Sequence, residues 1–213
     1  MNKYVKNKLL NIAEEKITGD DPSHDLNHAL RVLSTAEKIA SEEQADLDIV
    51  VPSALFHDVI NYPKNDPKRM QNAEESAEVT RNILHSIPEY PKEKIDDVAK
   101  AIKLCSFTKG IVPDFLEAKI LQDADGLEAT GAISIMRTFA STGSMKRTFY
   151  NSEDPFAENR EPDDMQYALD LFYTRLLKVK ERMHTDSAKK IAERRTVFLE
   201  KFLQEFELEL KGE

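Results

Sequence analysis

Residues 47–60 read LDIVVPSALFHDVI, and this stretch decides how the rest of the chain can fold. It opens with an apolar run from about Ile49 to Phe56, interrupted at Pro52, and it closes on two polar residues, His57 and Asp58. The run is far too short to cross a bilayer. The stretch therefore predicts a helix in a protein core, with an imidazole and a carboxylate at the end of the buried part.

Helical spacing of apolar residues recurs through most of the chain, and no segment alternates as a strand would. Asp21-Pro22 is a good helix start, since Asp can cap and Pro is tolerated at the first position. Six Gly against nine Pro also disfavours a protein of many tight β-turns. We therefore expect an all-α fold of about eight helices, at about residues 3–17, 21–41, 46 or 48 to 60, 71–86, 91–105, 113–140, 162–182 and 187–210.

The composition of the 213 residues indicates a soluble globular chain, with 40% apolar and 32% charged residues. Its 30 basic and 39 acidic residues give a net charge of −9, which disfavours a nucleic-acid polymer as partner but allows a small anionic substrate. A single cysteine, Cys105, excludes an intrachain disulfide. With neither a signal peptide nor a membrane span visible in the sequence, we expect a cytoplasmic protein.

Histidines and acids recur on faces that should point inward. His24 and His28 are one helical turn apart, and His28 is in line with an apolar row. In a continuous helix, Asp125 would share its face with apolar side chains, whereas Asp123 would lie on a more mixed face. The apolar neighbours of Asp125 in that arrangement are Leu121, Ala129, Ala132 and Met136.

A carboxylate in a core is costly unless it meets a metal ion or a cation, so a buried ion pair is the alternative to a metal site for Asp125. The predicted helices at about 21–41, 46 or 48 to 60 and 113–140 together supply two imidazoles and two carboxylates to the interior of a bundle. Such mixed ligands suit Mn, Mg, Fe, Ni or Zn at an open site and do not suit a closed structural zinc.

Four phrases of the chain resemble the HD-domain metal-dependent phosphohydrolases, in particular their YedJ/YpgQ-like bacterial branch. The resemblance covers about residues 20–205 and implies an HD-domain helical bundle with a C-terminal helical extension. The segment 141–161 lacks helical periodicity and is either a lid or a plain connector with a short helix. It divides the chain into a metal-binding core (1–140) and C-terminal helices that pack on the same domain (162–213). The phrases are HDLNHALRV (24–32), ALFHDVINYPKNDPKR (54–69), AKILQDADGLEATGAI (118–133) and DPFAENREPDDMQYALDLFYTRLLK (154–178).

The resemblance implies that a divalent metal ion is held by His28, His57, Asp58 and Asp125. His24, Asp25 and Asp123 would then orient these ligands or face the substrate. Related chains read His-Ser-Phe where this one reads Cys105-Ser106-Phe107. A thiol therefore replaces a site histidine, unless position 105 only packs in the core.

The activity implied is hydrolysis of a small phosphoester or nucleotide by a metal-activated water. Asp58 or Asp123 would orient the water, and Asp123 is the preferred candidate. Arg31, Lys64, Arg69 and His24 would bind the substrate, and Lys64 would also offset charge that develops in the reaction. Lys68 is a weaker candidate for the same role. The loop 141–161 could close over the ligand with three basic residues, Lys146, Arg147 and Arg160.

Two other classes of function remain open at this point. One is a regulatory HD module that binds a nucleotide without turnover, which activity assays with Mn or Mg would distinguish. The other is an all-α scaffold with buried ion pairs, which metal analysis would distinguish. The expected partner is a small phosphorylated molecule, with no nucleic-acid polymer and no membrane, and the sequence allows a homodimer. We assign no chemistry to His85 and His184.

Overall fold

A computed structural model describes residues 1–19, 24–62, 66–105 and 110–213 of the chain. These ranges hold nine α-helices and no β-sheet, which confirms the all-α prediction. A single isolated β-bridge joins Thr148 and Tyr167. None of the helices described is both long and apolar enough to span a membrane. The helices are α1 (Lys3–Lys16), α2 (Leu26–Glu43), α3 (Leu47–Phe56), α4 (Asn72–His85), α5 (Ile95–Leu104), α6 (Leu116–Gly126), α7 (Gly131–Met145), α8 (Asp170–Thr174) and α9 (Asp186–Lys211).

The chain forms two compact units, residues 1–125 and 126–213. The first unit is built around α3, and α1, α2, α4 and α5 all pack against that helix. Every residue of α3 from Ile49 to Phe56 is buried. Burial on all sides explains why the stretch is continuously apolar rather than amphipathic.

Helix α3 begins one turn earlier than its proline suggests. Asp46 is the N-cap, and its carboxylate accepts the backbone N–H of Asp48 at 2.8 Å. Pro52 therefore lies inside the helix, where it cannot donate to the carbonyl oxygen of Asp48. The buried hydroxyl of Tyr90 donates to that oxygen instead, at 2.7 Å. A side chain from outside the helix thus replaces the missing backbone donor.

Helix α2 begins at a different residue from the one predicted, whereas Asp46 is one of the two starts predicted for α3. The N-cap of α2 is Asp25, which accepts the backbone N–H of His28 at 2.8 Å. The predicted start at Asp21-Pro22 lies outside the described residues. The cap fixes the first turn of the helix, and His28 lies in that turn.

The prediction of one helix over 113–140 is wrong. Helix α6 ends at Gly126, a short 3-10 turn covers Leu127–Ala129, and α7 starts at Gly131. The backbone leaves the helix there, since Thr130 is extended and Gly131 has a φ of +70°, which favours glycine. The Arg195 side chain donates to the carbonyl oxygen of Leu127, within the break, at 2.7 Å. The first residues of the segment 141–161 belong to α7, which continues to Met145.

The predicted helix at 162–182 is mostly wrong as well. Only α8 is α-helical there, and residues Leu176–Arg182 form a 3-10 helix. Both elements belong to the second unit, where Leu169, Phe172, Leu176, Leu199 and Leu203 form a buried apolar cluster. This cluster fixes α9 in the second unit.

The loop after α7 is held by a buried ion pair. Asp170 is fully buried, and its carboxylate accepts two hydrogen bonds from Arg160, at 2.5 and 2.8 Å. The Arg160 guanidinium also donates to the carbonyl oxygen of Asp154. Side chains of the same loop, Tyr150 and Phe156, pack on the apolar cluster. The loop is therefore part of the folded second unit.

Replacing Arg160 by Ala should destabilise the protein by about 2–4 kcal/mol, because it leaves the buried carboxylate of Asp170 without its charged partner. Chemical denaturation measures the loss. Lys178→Ala, a change of an exposed residue, is the control and should cost no more than about 0.5 kcal/mol. Equal losses of stability in the two variants would contradict the assignment of Arg160 as the charged partner that holds Asp170.

Candidate metal centre

Four of the predicted ligands come together at one point of the first unit. The Nε2 atoms of His28 and His57 lie 3.2 Å apart. Asp58 Oδ2 lies 3.8 Å from His28 Nε2 and 3.5 Å from His57 Nε2. Asp125 Oδ1 lies 3.6 Å and 3.8 Å from the same two nitrogens. Helix α2, the end of α3 and helix α6 each contribute to this cluster.

The imidazoles of His28 and His57 are buried, and a hydrogen bond shows which nitrogen of His57 carries a proton. His57 Nδ1 lies 2.9 Å from the carbonyl oxygen of Ala54, which can only accept, so this nitrogen carries the proton. The neutral ring then keeps its lone pair on Nε2, the atom that faces His28 and the two carboxylates. This is the orientation that a metal-binding histidine requires.

Asp58 lies beyond the end of α3, which explains how it can meet the same point as its neighbour His57. The helix stops at Phe56, and the backbone then turns, with the N–H of Val59 donating to the carbonyl oxygen of Phe56 at 3.2 Å. Adjacent side chains on a continuous helix would diverge by about 100°. In the turn the two side chains converge.

The carboxylate of Asp58 is kept ionised by its neighbours. Burial by itself would raise its pKa, but the electrostatic interactions of the carboxylate with the imidazoles of His57, His24 and His28, and a hydrogen bond from His24, outweigh this effect and lower the pKa. The hydrogen bond joins His24 Nδ1 and Asp58 Oδ2 at 2.7 Å. Asp58 is therefore an anion at neutral pH, as a metal ligand must be.

The donor set fits a divalent cation. Ligands about 2.1 Å from one ion lie about 3.0–3.4 Å apart at octahedral or tetrahedral angles, close to the separations seen here. Two overlapping groups have ligand atoms within 4.8 Å of one another: His24, His28 and Asp58, and His28, His57 and Asp125. The carboxylates of Asp58 and Asp125 are 28% and 29% exposed, so one side of the centre is open to solvent.

Asp125 and not Asp123 belongs to this cluster, but not for the reason that the sequence gives. The expectation used a continuous helix through Ala129 and Met136, and the helix ends at Gly126, with Met136 on the surface. Asp123 is fully buried and lies outside both candidate groups. Two aspartates two residues apart on α6 thus face different surroundings.

The residues predicted to bind the substrate or to orient the ligands differ in their contacts and exposure. His24 bonds to Asp58, Arg31 is half-buried one turn after His28, and Arg69 is exposed in the 3-10 turn Pro67–Gln71. Lys64 lies outside the described residues. Asp25, expected to orient ligands or face the substrate, caps α2.

The thiol of Cys105 is buried and lies outside both candidate groups. Burial raises its pKa, and the charges of Asp125 and Asp58 raise it further. In the metal-free protein the thiol is therefore protonated at neutral pH.

Comparison with known proteins now identifies the family. The family model described as "HD domain" matches residues 25–130, the range that contains His28, His57, Asp58 and Asp125. YpgQ of Bacillus subtilis (strain 168) is 32% identical over 200 residues, which cover 92% of this chain and 89% of that protein. The chain belongs to the HD-domain family.

Solved structures agree with this assignment. The crystal structure of B. subtilis YpgQ in complex with ADP matches with a TM-score of 0.73 at 28% identity, over 96% of this chain and 94% of that one. An HD-superfamily hydrolase from Bacillus thuringiensis matches with a TM-score of 0.77 at 28% identity, over 99% of both chains. The chain therefore has the HD-superfamily hydrolase fold.

Sequence reasoning missed two contacts of the centre. The cap at Asp25 could have been found, because Asp is a common N-cap and His28 follows three residues later. The acceptor for His57, the carbonyl oxygen of Ala54, leaves no signal in residue types, since every residue has one.

Replacing His57 by Ala should weaken Mn²⁺ binding by more than the 10–100-fold that loss of an outer partner costs (about 1.4–2.8 kcal/mol), because it removes a ligand atom itself. Titration of chelator-treated protein measures this loss. Circular dichroism should keep its helical signal, and His85→Ala, a change on the surface, should bind metal as the wild type does. Global unfolding of the His57 variant would instead support a buried ion-pair network.

Proposed function

We propose that this protein is a metal-dependent phosphohydrolase that acts on a nucleotide or another small phosphoester. The observation that carries the proposal is the convergence of two buried imidazoles and two partly exposed carboxylates. The two Nε2 atoms lie 3.2 Å apart, and one oxygen of each carboxylate lies 3.5–3.8 Å from both of them. The complex of the related YpgQ with ADP supports a nucleotide ligand.

His28, His57, Asp58 and Asp125 would hold the metal ion, which is Mn, Mg, Fe, Ni or Zn. A bound divalent ion lowers the pKa of a water ligand and polarises a phosphoryl oxygen. The open side of the centre, next to the two carboxylates, leaves room for water and substrate. A fully closed structural site would not.

The chain's own residues have separate tasks in this proposal. The bond from His57 to Ala54 keeps the ring from rotating, and the bond from His24 holds the oxygen of Asp58 that faces the centre. Asp58 is the better candidate to orient the attacking water, because it is ionised and reaches solvent. Asp123, the other candidate, is fully buried.

Substrate phosphate would be bound by Arg31, Lys64 and Arg69, and the acidic net charge of −9 favours a small ligand over a polymer. The proposed lid has less free charge than its composition suggests. Arg160 is occupied by Asp170, and Arg147 donates to the carbonyl oxygen of Asp164 at 2.5 Å. Exposed Lys146 is the remaining basic residue of the three that the loop could offer to a phosphate.

A phosphate-release panel tests the proposal. We expect turnover of a nucleoside mono-, di- or triphosphate, or of a simple phosphomonoester, with Mn²⁺ or Mg²⁺ present. His57→Ala should abolish turnover and His85→Ala should retain it. Nucleotide binding without turnover under any of the metals would identify a regulatory module. Cleavage of nucleic acid alone would overturn the small-substrate part of the proposal.

Neutralising Lys64 separates phosphate binding from metal binding. Lys64→Met should raise KM or lower kcat about tenfold, the size expected for one charge-assisted hydrogen bond, and should leave the metal content unchanged. Steady-state kinetics and metal analysis measure the two effects, with exposed Lys178→Met as the control. Loss of metal in the Lys64 variant would contradict the role in phosphate binding.

A further inference from the structure

Helix α4 presents three polar side chains to the backbone that follows Asp58. We call Asn72, Glu75 and Ser76 the α4 strip. Ser76 is fully buried, and its hydroxyl bonds to Ile60 in both directions. It accepts the N–H of Ile60 at 3.1 Å and donates to the carbonyl oxygen of the same residue at 3.2 Å. These are the two bonds that a neighbouring strand would make.

The other members of the strip hold Tyr62. Asn72 Oδ1 accepts the backbone N–H of Tyr62 at 3.2 Å, and Glu75 Oε2 accepts its phenolic hydroxyl at 2.8 Å. Asn72 also donates to the side chain of Asn61 at 3.3 Å. Each residue of the segment Ile60–Tyr62 is therefore bonded to α4.

The two backbone N–H groups that the strip accepts are two residues apart, at Ile60 and Tyr62. Their acceptors, Ser76 and Asn72, are four residues apart on α4, about 6.0 Å along the helix, and so lie on the same face. One face of α4 thus holds the segment at two points.

The bonds from the α4 strip matter for Asp58, because Asp58 lies beyond the end of α3 and its backbone is not part of a helix. The bond from the N–H of Val59 to the carbonyl oxygen of Phe56 closes a turn around Asp58. The residue after Val59 is Ile60, whose N–H and carbonyl oxygen are both held by Ser76. We propose that Ser76, together with Asn72, is a positioning residue for the Asp58 carboxylate. The inference rests on the proposed metal centre.

The decisive variant is Ser76→Ala, and Thr80→Val is its matched control. Thr80 is also fully buried on α4, but its hydroxyl donates at 2.7 Å to the carbonyl oxygen of Ser76, within the same helix. Both variants lose one buried hydroxyl, and only the first releases the segment after Asp58. Asn72→Ala, at a half-buried position, tests the same strip if Ser76→Ala does not fold.

Three measurements follow on full-length protein. In metal-free protein, Ser76→Ala should speed hydrogen exchange of the peptide 57–62 about tenfold, and Thr80→Val should not. Ser76→Ala should raise the Kd for Mn²⁺ about tenfold and change the visible absorption of the Co²⁺-loaded protein. Asn72→Ala should change the Kd for Mn²⁺ and the Co²⁺ absorption in the same direction, with a Kd about threefold higher than that of the wild type. Thr80→Val should keep its Kd for Mn²⁺ within about twofold of the wild-type value.

The outcomes separate this inference from the proposed function. Normal Mn²⁺ affinity in Ser76→Ala, or equal weakening in Thr80→Val, would overturn the positioning role and leave the metal centre intact. Failure of the wild type to bind Mn²⁺ or Co²⁺ would overturn the metal centre, and the inference with it. Faster exchange, weaker binding and an altered Co²⁺ spectrum in the Ser76 variant alone would support it.

Discussion

The hydrogen bond from His57 to the carbonyl oxygen of Ala54 is the contact on which the proposed centre depends. The last carbonyl groups of a helix have no partner in the helix itself, and α3 ends at Phe56, so the oxygen of Ala54 is available. A buried imidazole needs such an acceptor. The end of the helix thus supplies both the acceptor and the turn that directs Asp58 to the same point.

The burial of the centre is uneven, and this determines its chemistry. The imidazoles lie in the apolar interior, where their orientation is fixed by packing and hydrogen bonds. The carboxylates lie on the open side, where water and an anionic ligand can reach them. Interactions with three imidazoles, among them the hydrogen bond from His24, keep Asp58 ionised despite its partial burial. A hydrolytic site requires ligands that are held in place and one side that is open to water and substrate, whereas a structural metal site is closed on all sides.

Much of this could be predicted from the sequence, and the failures have physical causes. The composition and periodicity predicted the all-α fold, and the continuously apolar stretch predicted the buried α3. The break after Gly126 could not be predicted from periodicity, since the contact within it, between Arg195 and the carbonyl oxygen of Leu127, joins residues far apart in the chain. The choice of Asp125 over Asp123 from helix faces used a continuous helix that does not exist. The strip on α4 was missed because its residues bond to backbone groups, which carry no residue-specific pattern.

The proline inside α3 has a consequence for how this sequence can change over time. Pro52 leaves the carbonyl oxygen of Asp48 without a backbone donor, and Tyr90 supplies one from a distant part of the chain. The effect of Pro52 on the stability of α3 therefore depends on the hydroxyl of Tyr90. With an ordinary residue at position 52 the helix would supply its own donor to this oxygen, and the hydroxyl at position 90 would share the oxygen with it. The two positions should evolve as a pair, and their covariation would mark the packing of α3 even in relatives whose metal ligands have been lost.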